Sequence, residues 1–175
     1  MKLKLLLATI IIGIGFLSFM DDNQKAEIGL EIGNQAPDIQ TELIDGTPLK
    51  LEDFKGKMVI INFWASYHAP SRMNNFYLKQ LLEGNTKTHF HNGEELVVLS
   101  ISLDRFRSPL NLAIEQDETE VFKHVCDYKG MEGDLSILYN IDEPMNILID
   151  GDGRILAKDV GYSKIEKSLS FLSSI

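Results

Sequence analysis

The chain has a single cysteine, Cys126, in 175 residues. An internal disulfide is therefore impossible, and no disulfide framework holds the fold. Positive charge is also scarce. The formal net charge is −9, and with Lys2 and Lys4 set aside 15 basic residues face 26 acidic ones. Such a surface repels phosphate backbones, which argues against a nucleic-acid partner. It equally disfavours a peripheral grip on anionic lipid. Internal repeats and low-complexity tracts are absent. What remains is ordinary globular material: 44% hydrophobic and 25% charged residues at a length that suits one domain. That much apolar material builds one core without a metal or disulfide staple.

Residues 1–20 read MKLKLLLATIIIGIGFLSFM. Two lysines precede an apolar run from Leu5 to Phe19, and polar residues begin at Asp21. A short basic region before an apolar stretch is the pattern of an export signal. Leu17, Ser18, Phe19 and Met20 form no clear small-x-small cleavage site, and no cysteine follows for a lipid anchor. Left uncut, a run of about 17 apolar residues is long enough to tether the domain to a membrane. The run has no polar face, unlike an amphipathic helix laid on a core. The organisation expected is a signal peptide or membrane anchor over 1–20, a polar linker over 21–31, and one domain over 32–175.

Within that domain strand and helix signals alternate. Residues 38–44 alternate in polarity, Asp45-Gly46 is a turn signal, and residues 48–51 complete a short hairpin. Residues 51–54 form one helical turn ended by Gly56. Residues 57–63 (KMVIINF) and 95–103 (ELVVLSISL) are nearly unbroken apolar runs, as in central strands covered on both faces. Residues 70–82 carry helically spaced apolar positions, with Pro70 suited to the first turn. Residues 108–116 read as a helix, 121–127 as a short strand and 133–139 as a short helix. Residues 145–150 and 154–158 flank Gly151-Asp152-Gly153 as a hairpin, and 164–172 close the chain as a helix. This order implies an α/β fold with a mostly parallel mixed sheet, an antiparallel edge and helices on both faces.

Four segments then match one family. They are Ala36-Pro37-Asp38 before the hairpin, the strand INFWAS running into a helix, Asp104 after VVLSISL, and EPMNILIDGDGRI with its proline before a strand. Over residues 32–175 the chain resembles the thioredoxin superfamily, in its exported TlpA-like and redoxin branch of thiol–disulfide oxidoreductases. The resemblance implies a thioredoxin-like fold with an N-terminal β-hairpin extension. It also implies a Cys-x-x-Cys motif opening the helix after the central strand. Here that stretch reads Trp64-Ala65-Ser66-Tyr67-His68-Ala69-Pro70-Ser71-Arg72. Trp64, Pro70 and Arg72 keep the frame, while His68 and Ser71 stand where the resemblance implies cysteines. Asn74 stands where many members have an acidic residue that assists proton transfer. Pro144 matches the family's cis-proline, which faces the active helix beside Glu143 and exposes backbone for a peptide to pair with.

Disulfide exchange needs one thiolate to attack and a second thiol to resolve the mixed disulfide. Imidazole and hydroxyl carry out neither step. Autonomous disulfide reductase activity is therefore not expected, and a thiol peroxidase meets the same objection. The expected function is peptide or protein binding at a groove between His68 and Pro144, with Trp64, Tyr67, Pro70 and Glu143 as further binding residues. The alternative is an oxidoreductase acting through Cys126 or through a partner's thiol. Cys126 lies in a segment read as a strand beside the core, where a half-buried thiol is structural. His68 at a helix N-terminus favours neutral imidazole. It reads as a cap residue, and Ser71 at i+3 is within hydrogen-bond reach of it. A Ser–His hydrolase would also need an orienting acid and an oxyanion hole, and no nucleophile-elbow motif is present. Asp150-Gly151-Asp152-Gly153 continues with Arg154 and Ile155 where a calcium loop needs an oxygen ligand and glycine. His89 and His91 have no evident third ligand. No metal or cofactor is expected. Export to the periplasm, or to the periplasmic face of the inner membrane, completes the reading.

Overall fold

The structure, a computed structural model, describes residues 27–173 apart from 87 and 160. The expected signal or anchor over 1–20 lies outside the described residues, as does most of the linker over 21–31. The described end of that linker is tied down: Gln35 donates its N–H to the Glu27 carbonyl at 2.8 Å, and Gly29 donates to Gln35 at 3.0 Å.

Strands β1 (Gln40–Glu42) and β2 (Pro48–Lys50) form the hairpin, with Thr41 opposite Leu49. A 3-10 turn follows at Leu51–Phe54. The main sheet comprises β3 (Met58–Trp64), β4 (Leu96–Ser102), β5 (Lys123–Val125), β6 (Met145–Ile149) and β7 (Ile155–Lys158). Its order is β5-β4-β3-β6-β7. β3, β4 and β5 run parallel; β6 and β7 are antiparallel to their neighbours. The parallel strands are linked through helices α1 (Ala69–Gly84) and α2 (Arg107–Gln116), since parallel pairing requires a crossover. A one-turn helix, α3 (Asp134–Leu138), precedes β6, and α4 (Tyr162–Leu172) ends the described chain.

All seven residues of β3 are buried. Successive side chains point to opposite faces, so the strand splits its apolar set. Met58 and Ile60 pack with Leu78 and Leu81 of α1 and with Ile165 and Leu169 of α4. Trp64, on that same face, packs against Leu110, Ala113 and Ile114 of α2. Val59, Ile61 and Phe63 face the other way, onto Ile39, Leu49 and Tyr139. The three longer helices thus cover one face, and the hairpin with α3 covers the other. Right-handed crossovers explain the sharing of a face, because β3→β4→β5 steps across the sheet in one direction.

Of the boundaries that differ from expectation, two bear on the site. β5 is three residues long and ends before Cys126, so Cys126 sits just past the strand. The helix read from Pro70 begins one residue earlier, with His68 as its N-cap. No described helix is long and apolar enough to cross a membrane.

Candidate functional site

The end of β3 turns through residues 65–68 into α1. His68 has extended backbone geometry (φ −103°, ψ 94°), as an N-cap requires. Its Nδ1 accepts the Ser71 backbone N–H at 3.2 Å. An accepting Nδ1 carries no proton, which places the ring proton of the neutral imidazole on Nε2. Ser71 is buried, and its Oγ donates to the backbone carbonyl of His68 at 2.9 Å or of Ala65 at 3.3 Å. It also accepts from the Ala65 N–H at 3.3 Å. The two side chains expected to pair therefore meet differently. The serine hydroxyl serves backbone, and it is the serine N–H that reaches the imidazole. No Ser–His nucleophile pair is formed.

Behind this turn Asp104, fully buried, accepts from the Ser66 N–H at 2.9 Å and from Ser102 Oγ at 2.7 Å. Ser66 Oγ also donates to Asp104 Oδ1. The end of β4 thereby fixes the loop that leads into α1. Arg72 makes a bidentate contact with Asp117, at 2.8 Å from Nε and 2.6 Å from a terminal nitrogen. The hydrogen bond to Asp117 holds the guanidinium pKa above its ordinary value. Asn74 and Asn146 exchange amide hydrogen bonds at 3.3 Å, joining α1 to β6. Asn75 accepts from Asn62 at 2.8 Å in the interior.

His68, Pro70, Ser71, Asn74 and Pro144 line one hollow of about 180 Å³, with Met145, Asn146 and Asp159 in its wall. The structure thus brings together His68, Ser71, Pro70 and Pro144. Glu143 is exposed beside Pro144, and Tyr67, at 71% exposure, stands outside the hollow. Trp64 does not join them. It is fully buried, so it supports the turn from beneath and touches no ligand at the surface. Pro144 also departs from expectation, because no described peptide bond is cis. The trans X–Pro form is lower by about 0.5–1 kcal/mol. Asp142 and Glu143 take up the bend, after which the chain enters β6 directly.

Cys126 is half-buried, and its Sγ donates to the Asp104 carbonyl at 3.4 Å. Burial pushes the thiol pKa up, which keeps it protonated and a poor nucleophile at neutral pH. Among the described residues no three histidine, cysteine or acidic side chains converge to hold a metal. A second hollow, about 280 Å³, lies at the opposite end of the sheet against Val59 and Ile149 and shares no residue with the α1 terminus.

A mixed sheet whose central parallel strand feeds a helix N-terminus facing a proline loop defines the thioredoxin-like class. Comparison with known proteins agrees. The chain belongs to the AhpC/TSA family, whose model matches residues 32–158. It is 27% identical over 139 residues to the thioredoxin-like protein YneN of Bacillus subtilis, covering 78% of this chain and 76% of that one. It is 27% identical over 163 residues to the thiol-disulfide oxidoreductase ResA of Bacillus cereus, covering 93% and 88%. Among solved structures, a thiol-disulfide oxidoreductase from Bacteroides fragilis is 30% identical with a TM-score of 0.69, covering 79% of this chain and 99% of that one. The fold and the redoxin family read from the sequence are thereby shown.

Proposed function

We propose that this chain is an exported redoxin-family protein that holds a peptide or protein partner in the His68–Pro144 groove and does not reduce disulfides on its own. The observation that carries the reading is the occupancy of the α1 mouth. His68 Nδ1 and the Ser71 hydroxyl are both engaged in holding the turn. Reducing a disulfide takes two electrons and two protons, supplied by two thiols that become a disulfide. The chain has one thiol, and Cys126 lies outside the groove lining. A lone thiolate would stop at a mixed disulfide. Its raised pKa also disfavours a route through Cys126. The apolar run and lysines of residues 1–20 support export.

Insulin reduction with dithiothreitol as terminal reductant tests the reading. The chain should add nothing to the rate of dithiothreitol alone, while H68C/S71C should accelerate it. Repeated turnover by the unaltered chain would refute the reading. For the partner, capture from a periplasmic extract is compared with Asn74→Trp, which fills the groove. Equal recovery by both forms argues against that site.

A further inference from the structure

The His68–Pro144 hollow does not stop at α1's first turn. Pro70, Asn74 and Gly161 line it and also line an open groove of about 760 Å³ between α1 and the start of α4. On α1, Met73, Phe76 and Tyr77 lie at i, i+3 and i+4, on one side of the helix. All three are exposed, Met73 at 56%. Phe76 meets Tyr77 edge-on at 5.5 Å between ring centres, and Tyr77 stacks on Tyr162 of α4 at 5.0 Å. A contiguous exposed apolar strip of this kind marks an interaction surface.

Charge is distributed unevenly along it. Arg72 and Lys79, the cations of α1, are drawn away into ion pairs with Asp117 and Glu118. At the Tyr162 end Lys164 lines the groove, and Glu166 accepts from the Tyr162 hydroxyl at 2.9 Å. At the other end Asp142, Glu143 and Asp159 are exposed, and none forms an ion pair among the described residues. One end of the strip is therefore aromatic and carries charges of both signs, while the other is acidic.

We propose that this continuous groove takes a polypeptide segment that is apolar over Met73, Phe76 and Tyr77 and carries lysine or arginine toward Pro144. The proposal rests on the reading of the His68–Pro144 hollow as a polypeptide site and adds the chemistry of the occupant. A second copy of this chain fits less well, because both copies carry the same excess of acid.

The test uses the full-length chain and two fluorescein-labelled peptides. Both contain leucine and phenylalanine; one ends in lysines and the other in glutamates. By fluorescence anisotropy the lysine peptide should bind at least roughly tenfold more tightly. Its amide chemical-shift changes should run from Met145 through Met73 and Tyr77 to Tyr162. Combined D142N, E143Q and D159N substitutions, all at exposed positions, should remove the preference. Tyr77→Ser, with its fold checked by circular dichroism, should weaken both peptides. Equal affinities, with shifts confined to the His68–Pro144 end, overturn this inference and leave the groove reading standing. No shift at either end from either peptide overturns both. Self-association of the chain that is lost in Tyr77→Ser assigns the face to a second copy and also overturns the proposal.

Discussion

Replacing His68 by alanine removes the side-chain acceptor of the Ser71 N–H at the start of a 16-residue helix. Loss of an N-cap acceptor costs about 0.5–2 kcal/mol. His68→Ala should therefore lower the urea midpoint by that much free energy at unchanged m-value, and His68→Asn should recover most of it. Asp104→Ala should cost more, on the order of 2–3 kcal/mol, because several donors lose a buried partner at once. If Asp104→Ala is the milder change in the same titration, the loop is not held from β4 as described. The reach of sequence reasoning is visible at these residues. His68, Ser71 and Pro144 were legible as neighbours because motif order places them. The Ser66–Asp104–Ser102 contacts were not, since serines carry no positional signal and their partners are set by tertiary approach. Trp64 was misplaced for a similar reason. A strand buried on both faces offers no alternation to say which residues reach the surface.

At the scale of elements, Arg72 and Asp117 fasten the first turn of α1 to the end of α2. Both side chains are mostly shielded from solvent, at 31% and 17% exposure. A bidentate, partly buried pair is stronger than a median surface pair. A double-mutant cycle of Arg72→Ala and Asp117→Ala should give a coupling of about 1 kcal/mol, smaller at high salt. A coupling indistinguishable from zero at low salt would show that the helices are held by apolar packing alone. The elements themselves were legible wherever apolar runs were long. β3 and β4 emerge from nearly unbroken runs, β6 and β7 from the hairpin around Gly151-Asp152-Gly153, and the N-terminal hairpin from Asp45-Gly46. β5 was over-read because Phe122 and Val125 are buried while only three residues pair. The pattern of apolar residues reports burial, not hydrogen bonding.

Across the whole molecule, one buried ionisable group ties stability to pH. His124 of β5 lies beneath Phe122 and Trp64, with ring centres at 5.9 and 6.2 Å. Its Nε2 is 2.7 Å from the Thr119 carbonyl, which can only accept, so Nε2 carries the proton. Its Nδ1 is buried without a hydrogen-bond partner among the described residues. Charging the ring would bury a cation there, and burial accordingly pushes its pKa below the ordinary 6.5. The sign follows directly. Below about 6.5 the unfolded chain takes up a proton that the folded chain refuses, so the unfolded state gains stability as pH falls. The contribution of His124 is complete above that value and is lost progressively toward the folded-state pKa. Thermal melts between about pH 7.5 and pH 5 should show Tm falling on acidification. His124→Gln retains a donor for Thr119 and cannot be charged, so its Tm should fall less steeply over the same interval. The exposed carboxylates are shared by both proteins, which leaves the difference in slope to the imidazole. Parallel curves would mean that the interior admits the proton at no cost, and that His124 is less enclosed than its packing beneath Phe122 and Trp64 implies.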